Sequence, residues 1–330
     1  NIAIKAARRA AGVPLPAETA MNPPPPDHLP DHPTLLARAW HSPGLLLLAV
    51  GLLLGVNFPL GKVAVAAGIP PIVWAAVIST GGAIILGAAM PALGLRARVD
   101  ARHLRYFAVI AVISYALPNV LVYSLIPKLG SGYVAILFTL SPMFTVALSF
   151  AARLRSPSRL ELVGVAIGFA GALLVATSRG EVGRSVAWFW AALGIAIPFS
   201  LALGNVYRTL AWPQGTSPIW LAVGSNAISA ALLIVASIVV AGPGSLQSLL
   251  IIPGIVAIQV AGSALMFALF FRLQAIGGPV TLSQIGTVAA AVGVIIGTFG
   301  LGERYPPTVW SGVALIAIGI GLTLRARLRG

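Results

Sequence analysis

The sequence predicts an all-α polytopic membrane protein: ten transmembrane helices in two inverted five-helix repeats, with both termini in the cytoplasm. Composition, apolar stretches of membrane-spanning length and an internal repeat are the three observations that predict it. Of the 330 residues, 58% are hydrophobic and 8% are charged, against about 25% charged in a typical soluble protein. Too few polar groups remain to cover a soluble protein of this size, so most of the surface must face lipid.

The net charge is +14, from 21 basic and 7 acidic residues, and on a soluble protein this balance would suggest nucleic acid. Here the basic residues lie in short clusters between apolar stretches, so we expect a lipid bilayer as partner and no nucleic acid. No cysteine is present, which excludes thiol catalysis and cysteine metal sites, and we expect no cofactor and no metal. Arg outnumbers Lys 18 to 3, a balance typical of GC-rich bacteria, which predicts a bacterial inner (plasma) membrane.

Apolar stretches of about 20 residues recur from Leu45 onward, the length that crosses ~30 Å of hydrocarbon. Glycines, prolines and charge clusters separate them. The ten predicted spans cover residues 44–66, 71–93, 104–126, 132–153, 159–177, 187–209, 218–240, 249–271, 279–301 and 306–325. Ahead of them, residues 1–43 contain four consecutive prolines, which favour extended chain, so we predict a disordered, Pro-rich cytoplasmic tail.

The positions of Trp and Arg predict the orientation. All seven Trp lie at or near the ends of predicted spans, where an indole ring prefers the membrane interface. With the N-terminus inside, twelve Arg lie at the predicted cytoplasmic ends and five Lys or Arg at the outer ends. This bias satisfies the positive-inside rule and predicts that both termini are cytoplasmic.

The second half of the chain echoes the first at an offset of about 147 positions. The segment Trp74-Ala-Ala-Val-Ile-Ser79 corresponds to Trp220-Leu-Ala-Val-Gly-Ser225, and Leu129-Gly130-Ser131 corresponds to Ile276-Gly277-Gly278. We assign the repeats to residues 44–177 and 187–325. Because each repeat holds an odd number of spans, the halves insert with opposite orientation, which is the architecture of alternating-access transporters.

Three short motifs carry a family resemblance: Leu53-Leu-Gly-Val-Asn-Phe58 in span 1, Gly302-Glu303-Arg304 after span 9, and Gly312-Val-Ala-Leu-Ile-Ala-Ile-Gly319 in span 10. With the repeat, they make residues 44–325 resemble the drug/metabolite transporter superfamily, in its EamA-like branch of bacterial metabolite exporters. The first repeat departs from the family pattern, because Arg155 or Ser156 stands at the position equivalent to Glu303. The resemblance implies a secondary transporter, with amino-acid exporters, including those for aromatic amino acids, as the nearest analogy.

Charge is scarce inside the predicted spans. Outside the tail, the acidic residues lie at span ends or in loops and are Asp100, Glu161, Glu181 and Glu303. A proton antiporter usually carries a mid-membrane carboxylate, so their positions argue against proton coupling. Phosphorylated substrates would need several inward cations, and the candidates Lys62, Arg208 and Arg272 each lie near a span end. Elimination therefore favours a neutral or zwitterionic solute.

Polar and aromatic residues within the spans are the candidate substrate-binding residues, because a polar group in hydrocarbon needs a partner or a ligand. In span 3, Tyr115, Asn119 and Tyr123 are spaced i, i+4, i+8 and share one face. The predicted set is Asn57, Tyr115, Asn119, Tyr123, Phe138, Ser141, Pro142, Thr145, Asn205, Gln259, Ser263, Ser283, Gln284 and Thr287. Helix–helix hydrogen bonding or packing is the alternative role for each of them.

Two further features have a structural and a functional interpretation. Glu303 and Arg304 could pair in an external gate, but an exposed ion pair contributes little, so we expect a loop role. Small-residue motifs such as Gly51-xxx-Gly55 and Gly164-xxx-Gly168 predict close helix packing, and a rocking contact would use the same residues.

Three classes of function compete. The leading hypothesis is a monomeric secondary carrier that exports small amino-acid-like metabolites by alternating access through a cavity between the repeats. A channel-like facilitator is the first alternative. A membrane-embedded enzyme is the second, but all four His lie in the tail or at the inner interface, and no nucleophile–base pair or metal cluster occurs in the spans.

Overall fold

The structure is a computed structural model that describes residues 41–95, 99–154, 158–177 and 188–328. Within those ranges the regular structure is helical, and no strand occurs. The predicted tail lies outside the described residues as far as residue 40. So do Glu181 and several basic residues that predict the orientation, namely Arg96, Arg98, Arg155, Arg179, Arg184 and Arg329.

The helices fall on the predicted spans. Their bounds are Pro43–Ala66 (α1), Pro71–Ala89 (α2), Ala101–Leu129 (α3), Ser131–Ala151 (α4), Arg159–Thr177 (α5), Trp188–Ala211 (α6), Pro218–Ala241 (α7), Pro253–Ser283 (α8), Ile285–Gly300 (α9) and Pro307–Leu328 (α10). In the described part of the chain, seven helices are long and apolar enough to cross a membrane: α1 to α4 and α6 to α8. Shorter apolar segments lie in α5, α9 and α10. The chain is thus an all-α multi-pass protein, while the count of ten spans, their orientation and the inverted repeat stay predictions.

Local sequence signals explain where the helices begin and end. The Ser42 hydroxyl caps α1 by accepting from the Leu45 amide, and Pro43 occupies the first turn, where its missing N–H costs nothing. Asp100 caps α3 by accepting from the His103 amide at 2.8 Å. Between α3 and α4, Gly130 adopts φ +89°, a conformation that favours glycine and allows α4 to start at the next residue.

Helices α3 and α4 each contain a segment that departs from regular α geometry. Residues Ala111–Ala116 of α3 form a π-helical segment, and Phe138–Leu140 of α4 form a 3-10 turn just before Pro142. The predicted break between spans 8 and 9, at residues 272–278, is wrong: α8 continues to Ser283, and the interruption falls at Gln284. Glycine and proline are tolerated within membrane helices because neighbouring helices, Ser or Thr side chains and local 3-10 or π adjustments satisfy the freed backbone groups.

The most extensive helix–helix contacts map onto one another when each helix number is exchanged with the number five higher or lower. Helix α1 packs against α8 and α9, and α6 packs against α3 and α4. The pairs α2–α7, α4–α9 and α5–α10 map onto themselves. At the α5–α10 crossing the backbones touch, since a Cβ on Gly171 would lie 2.7 Å from the Gly312 oxygen. Trp74, expected at an interface, is fully buried within this packing.

Candidate functional site

A cavity of about 90 Å³ lies among α1, α2, α3, α4, α6, α8 and α9, so both halves of the sequence contribute to it. Its walls are mostly apolar and aromatic, and its polar groups are few. Seven of the predicted substrate-binding residues line it: Asn57, Tyr115, Asn119, Phe138, Ser141, Asn205 and Ser283. The irregular segments of α3 and α4 and the α8–α9 interruption therefore all adjoin this cavity.

The other predicted residues lie elsewhere. Tyr123 is buried against Gly61 of α1, beyond the cavity, and Thr145 donates to the Ser141 carbonyl of its own helix at 2.7 Å. Pro142 is buried one residue beyond the cavity-lining Ser141. Thr287 lines a separate, almost wholly apolar pocket of about 330 Å³ between α4, α9 and α10. The last three, which are buried but do not line the cavity, are Gln259, Ser263 and Gln284.

One of those three residues, Gln259, is hydrogen-bonded to Asn57 and also to Ser263. Gln259 Nε2 donates to Asn57 Oδ1 and to Ser263 Oγ, at 2.9 Å in each case. Asn57 Nδ2 in turn contacts the sulfur of Met266, which also lines the cavity, at 3.6 Å. The amide of Asn57 is therefore oriented by α8. Gln259 Oε1 finds no partner among the described residues.

Arg208, outside the predicted set, also lines the cavity. It lies in the last turn of α6, is 2% exposed, and donates from Nη1 to Asn205 Oδ1 at 3.1 Å. Its guanidinium carbon lies 5.0 Å from the ring centroid of Phe270 and 6.0 Å from that of Tyr115. Desolvated contacts of this kind contribute about 2 kcal/mol, and the helix C-terminus also favours a cation. Among the described residues that line the cavity, Arg208 is the one charged side chain.

The same side chain adjoins a second, more open pocket of about 350 Å³. Its lining includes Thr216 and Gln274 as well as Arg208. Thr216 Oγ1 lies 2.8 Å from His103 Nε2, and Asp100 Oδ1 lies 2.8 Å from His103 Nδ1. We call this side of the bundle the His103 end. The hydrogen bonds from the His103 amide and ring lower the pKa of Asp100.

A buried carboxylate network lies at the opposite side, which we call the Glu303 end. Glu303 accepts from Lys62 Nζ at 2.6 Å, from the Ser131 amide and hydroxyl at 2.7 and 2.6 Å, and from the Gly132 amide at 2.9 Å. The Tyr305 hydroxyl is a further donor. The network thus joins α1, the start of α4 and the α9–α10 connection. It lies five residues, or roughly 8 Å, along α1 from Asn57.

Glu303 lies in the α9–α10 connection, in line with the expected loop role, but its ion-pair partner is not Arg304. Glu303 is 1% exposed and pairs with Lys62, whereas Arg304 is exposed. Sequence neighbours in an extended connection point to opposite sides, so only one of the two can enter the bundle. Burial raises the pKa of Glu303, but the hydrogen bonds from Lys62, Ser131, Tyr305 and Gly132 outweigh it and lower the pKa to about 2.

Taken together, the described residues supply a small polar-rimmed cavity with a buried ion-pair network on one side and an arginine on the other. They contain no cluster of three or more His, Cys, Asp or Glu that could hold a metal ion. The cavity therefore has the groups for binding a solute by hydrogen bonds, apolar contact and one positive charge.

Comparisons with known proteins agree with the fold. Residues 42–177 match the EamA-like transporter family, which confirms the resemblance over the first half of the chain. A solved crystal structure, 17% identical, matches with a TM-score of 0.57 over 85% of this chain and 97% of that chain. At that identity the match shows a shared fold alone. No curated protein matches the chain.

Proposed function

We propose that this chain, whose residues 42–177 match the EamA-like transporter family, is a secondary transporter that exports small amino-acid-like solutes from bacteria by alternating access. The observation that carries the proposal is the cavity built from α1 to α4 and from α6, α8 and α9. A site shared by both halves of one chain is what an inverted-repeat carrier requires. A monomer is then sufficient for transport.

The packing pattern supports an inverted repeat. Exchanging each helix with its counterpart five positions away maps the most extensive helix contacts onto one another, as two equivalent halves would. Ser79 of α2 and Ser229 of α7, which lie on the self-paired helices, share a buried hydrogen bond of 2.9 Å. We therefore place the relative movement of the halves around this α2–α7 contact and the cavity.

The size of the cavity supports a moving site. Ligand sites usually enclose roughly 300–1,000 Å³, and this cavity holds about 90 Å³. A solute as large as an amino acid fits only after helices separate. At the Glu303 end, separation would break the Lys62–Glu303 ion pair, and at the His103 end it would move Arg208 relative to Gln274. The Lys62–Glu303 ion pair and the part of the second pocket between Arg208 and Gln274 are our candidate gates.

The test is counterflow in proteoliposomes. Purified protein is reconstituted into liposomes loaded with one unlabelled amino acid, and uptake of the same labelled amino acid is measured across the twenty amino acids. We expect saturable uptake, accelerated by the internal solute and independent of an imposed proton gradient. Uptake that is linear in concentration and not accelerated would indicate a channel. No uptake of any amino acid would refute the proposed substrate class.

A further inference from the structure

We infer that Arg208 binds the carboxylate of the solute that enters the cavity, so that the site selects molecules carrying a carboxylate. This inference rests on the proposed function and deepens it by naming the chemical group that is recognised. It departs from the sequence-based elimination, which gave Arg208 no role because it lies near a helix end.

The first reason is a buried charge that has no anionic partner among the described residues. The Arg208 side chain is 2% exposed, yet no described acidic side chain forms an ion pair with it. Glu303 pairs with Lys62 and Asp100 with His103. A buried cation is costly unless an anion or several acceptors compensate it, and here the guanidinium donates to the Asn205 amide oxygen at 3.1 Å. A solute anion would supply what the described residues lack.

The second reason is the set of unused donors beside it. Arg208 Nε, the Tyr115 hydroxyl and the Ser114 hydroxyl are buried and have no hydrogen-bond partner among the described residues. All three residues line the same cavity. A guanidinium with a free Nε–H can hold one carboxylate with two parallel hydrogen bonds, and the hydroxyls can donate to its remaining lone pairs.

Among possible anions, the residues that line the cavity favour a carboxylate attached to an apolar or aromatic group. Phosphate would carry more charge than one guanidinium balances, and Arg208 is the one cation among the described lining residues. The surrounding wall offers Phe138, Phe267 and Phe270, which suit an apolar or aromatic body. Because Arg208 also lines the second pocket, a carboxylate moving between cavity and pocket stays beside the same guanidinium.

Binding of a matched pair of probes tests this inference. Purified full-length protein in detergent is titrated with 3-phenylpropionate and with 3-phenylpropanamide, which has the same shape without the charge, and thermal stabilisation is measured. In the unaltered protein the carboxylate should bind roughly 10- to 100-fold more tightly than the amide. Arg208→Gln should remove that preference. Arg105→Gln makes the same change at an exposed position near the same end of the bundle and should keep it.

The outcomes separate the two proposals. Equal binding of the two probes by the unaltered protein, or an undiminished preference in Arg208→Gln, would overturn the inference. If Arg208→Gln does not fold, Arg208→Lys should fold and retain a weakened preference for the carboxylate probe. An equally strong preference in Arg208→Lys and in the unaltered protein would count against a forked contact. Carboxylate preference without any amino-acid counterflow would leave the inference standing and refute the transport proposal.

Discussion

Removing the charge of Glu303 gives the sharpest test of how the Glu303 end is closed. Glu303→Gln keeps the size of the side chain but removes its charge and turns one acceptor into a donor. That NH₂ group must then face Lys62 or the Ser131 and Gly132 amides, which are donors themselves. We expect the variant to lose both overall stability and the closure of this end.

Two independent estimates give the magnitude. Lowering the pKa of Glu303 from 4.5 to about 2 corresponds to about 3 kcal/mol in favour of the charged form. Breaking a buried ion pair by removing one partner typically costs about 3–5 kcal/mol, and because Lys62 is partly exposed the lower figure applies. A loss of about 3 kcal/mol should lower the unfolding midpoint by roughly 5–10 °C.

The direction of the pH dependence follows from the depressed pKa. The folded-state pKa lies below the ordinary value, so the stabilisation is complete above about pH 4.5 and is lost as the pH falls toward 2. The unaltered protein should therefore lose this contribution between those values. Glu303→Gln should show no corresponding loss, because the titrating group is absent.

Because the chain contains no cysteine, labelling of a single introduced cysteine can report directly whether the Glu303 end is closed. Ser141→Cys introduces one thiol, which is unique in the chain, at the cavity wall. Its labelling by a membrane-impermeant reagent should be up to about 100-fold faster with Glu303→Gln, the factor that 3 kcal/mol allows. Asp100→Asn is the control, since that carboxylate is mostly exposed and Asn caps a helix as well as Asp. An unchanged midpoint and labelling rate in Glu303→Gln would refute the reasoning.

Three other substitutions test the packing and the site. Gly319→Ala places a Cβ 2.5 Å from a backbone oxygen of α5 and should cost about 1–3 kcal/mol in thermal unfolding, whereas Gly321→Ala, with nothing within 4 Å, should cost less than about 0.5 kcal/mol. Ser79→Ala should cost about 1 kcal/mol by leaving the Ser229 hydroxyl unpaired, and the double alanine variant should cost less than the sum of the single ones. Gln259→Leu removes an amide that orients Asn57 and should reduce counterflow more than it lowers the unfolding midpoint; the reverse would assign Gln259 to stability alone.

Much of the fold could be predicted because lipid imposes strong constraints on sequence. The helices fall on the predicted spans since a segment in hydrocarbon must be apolar and must satisfy its backbone internally. The break at Gln284 could not be predicted, because it depends on tertiary contacts. Glycines and a proline marked residues 277–279 instead, and α8 runs through them.

Helical periodicity alone does not predict which polar residues line the cavity. Tyr115 and Tyr123 share a helix face, but eight residues separate them by about 12 Å along α3. Tyr115 therefore lines the cavity while Tyr123 lies at the level of Gly61. The spacing of residues in one helix predicts which face they share, but whether a residue lies at the depth of the cavity depends on how the other helices pack around it.

The charged contacts depend on long-range packing in the same way. Glu303 and Lys62 are 241 positions apart, and no local pattern connects them. Arg208 lies near the end of its own helix, where an exposed side chain is expected, and is buried only because residues of α3 and α8 cover it. These are the contacts on which the proposed selectivity and closure depend.

The close α5–α10 crossing also constrains how the protein is assembled. Helix α5 ends at Thr177, and its main packing partner α10 begins at Pro307, about 130 residues later in the chain. At ordinary rates of synthesis, roughly 10 s separate the two. During that interval the glycine face of α5 lacks the helix that covers it, so truncation before α10 should leave the first half a target for membrane quality control. Helix α10 thus completes, late in synthesis, a contact that α5 lacks when it first emerges.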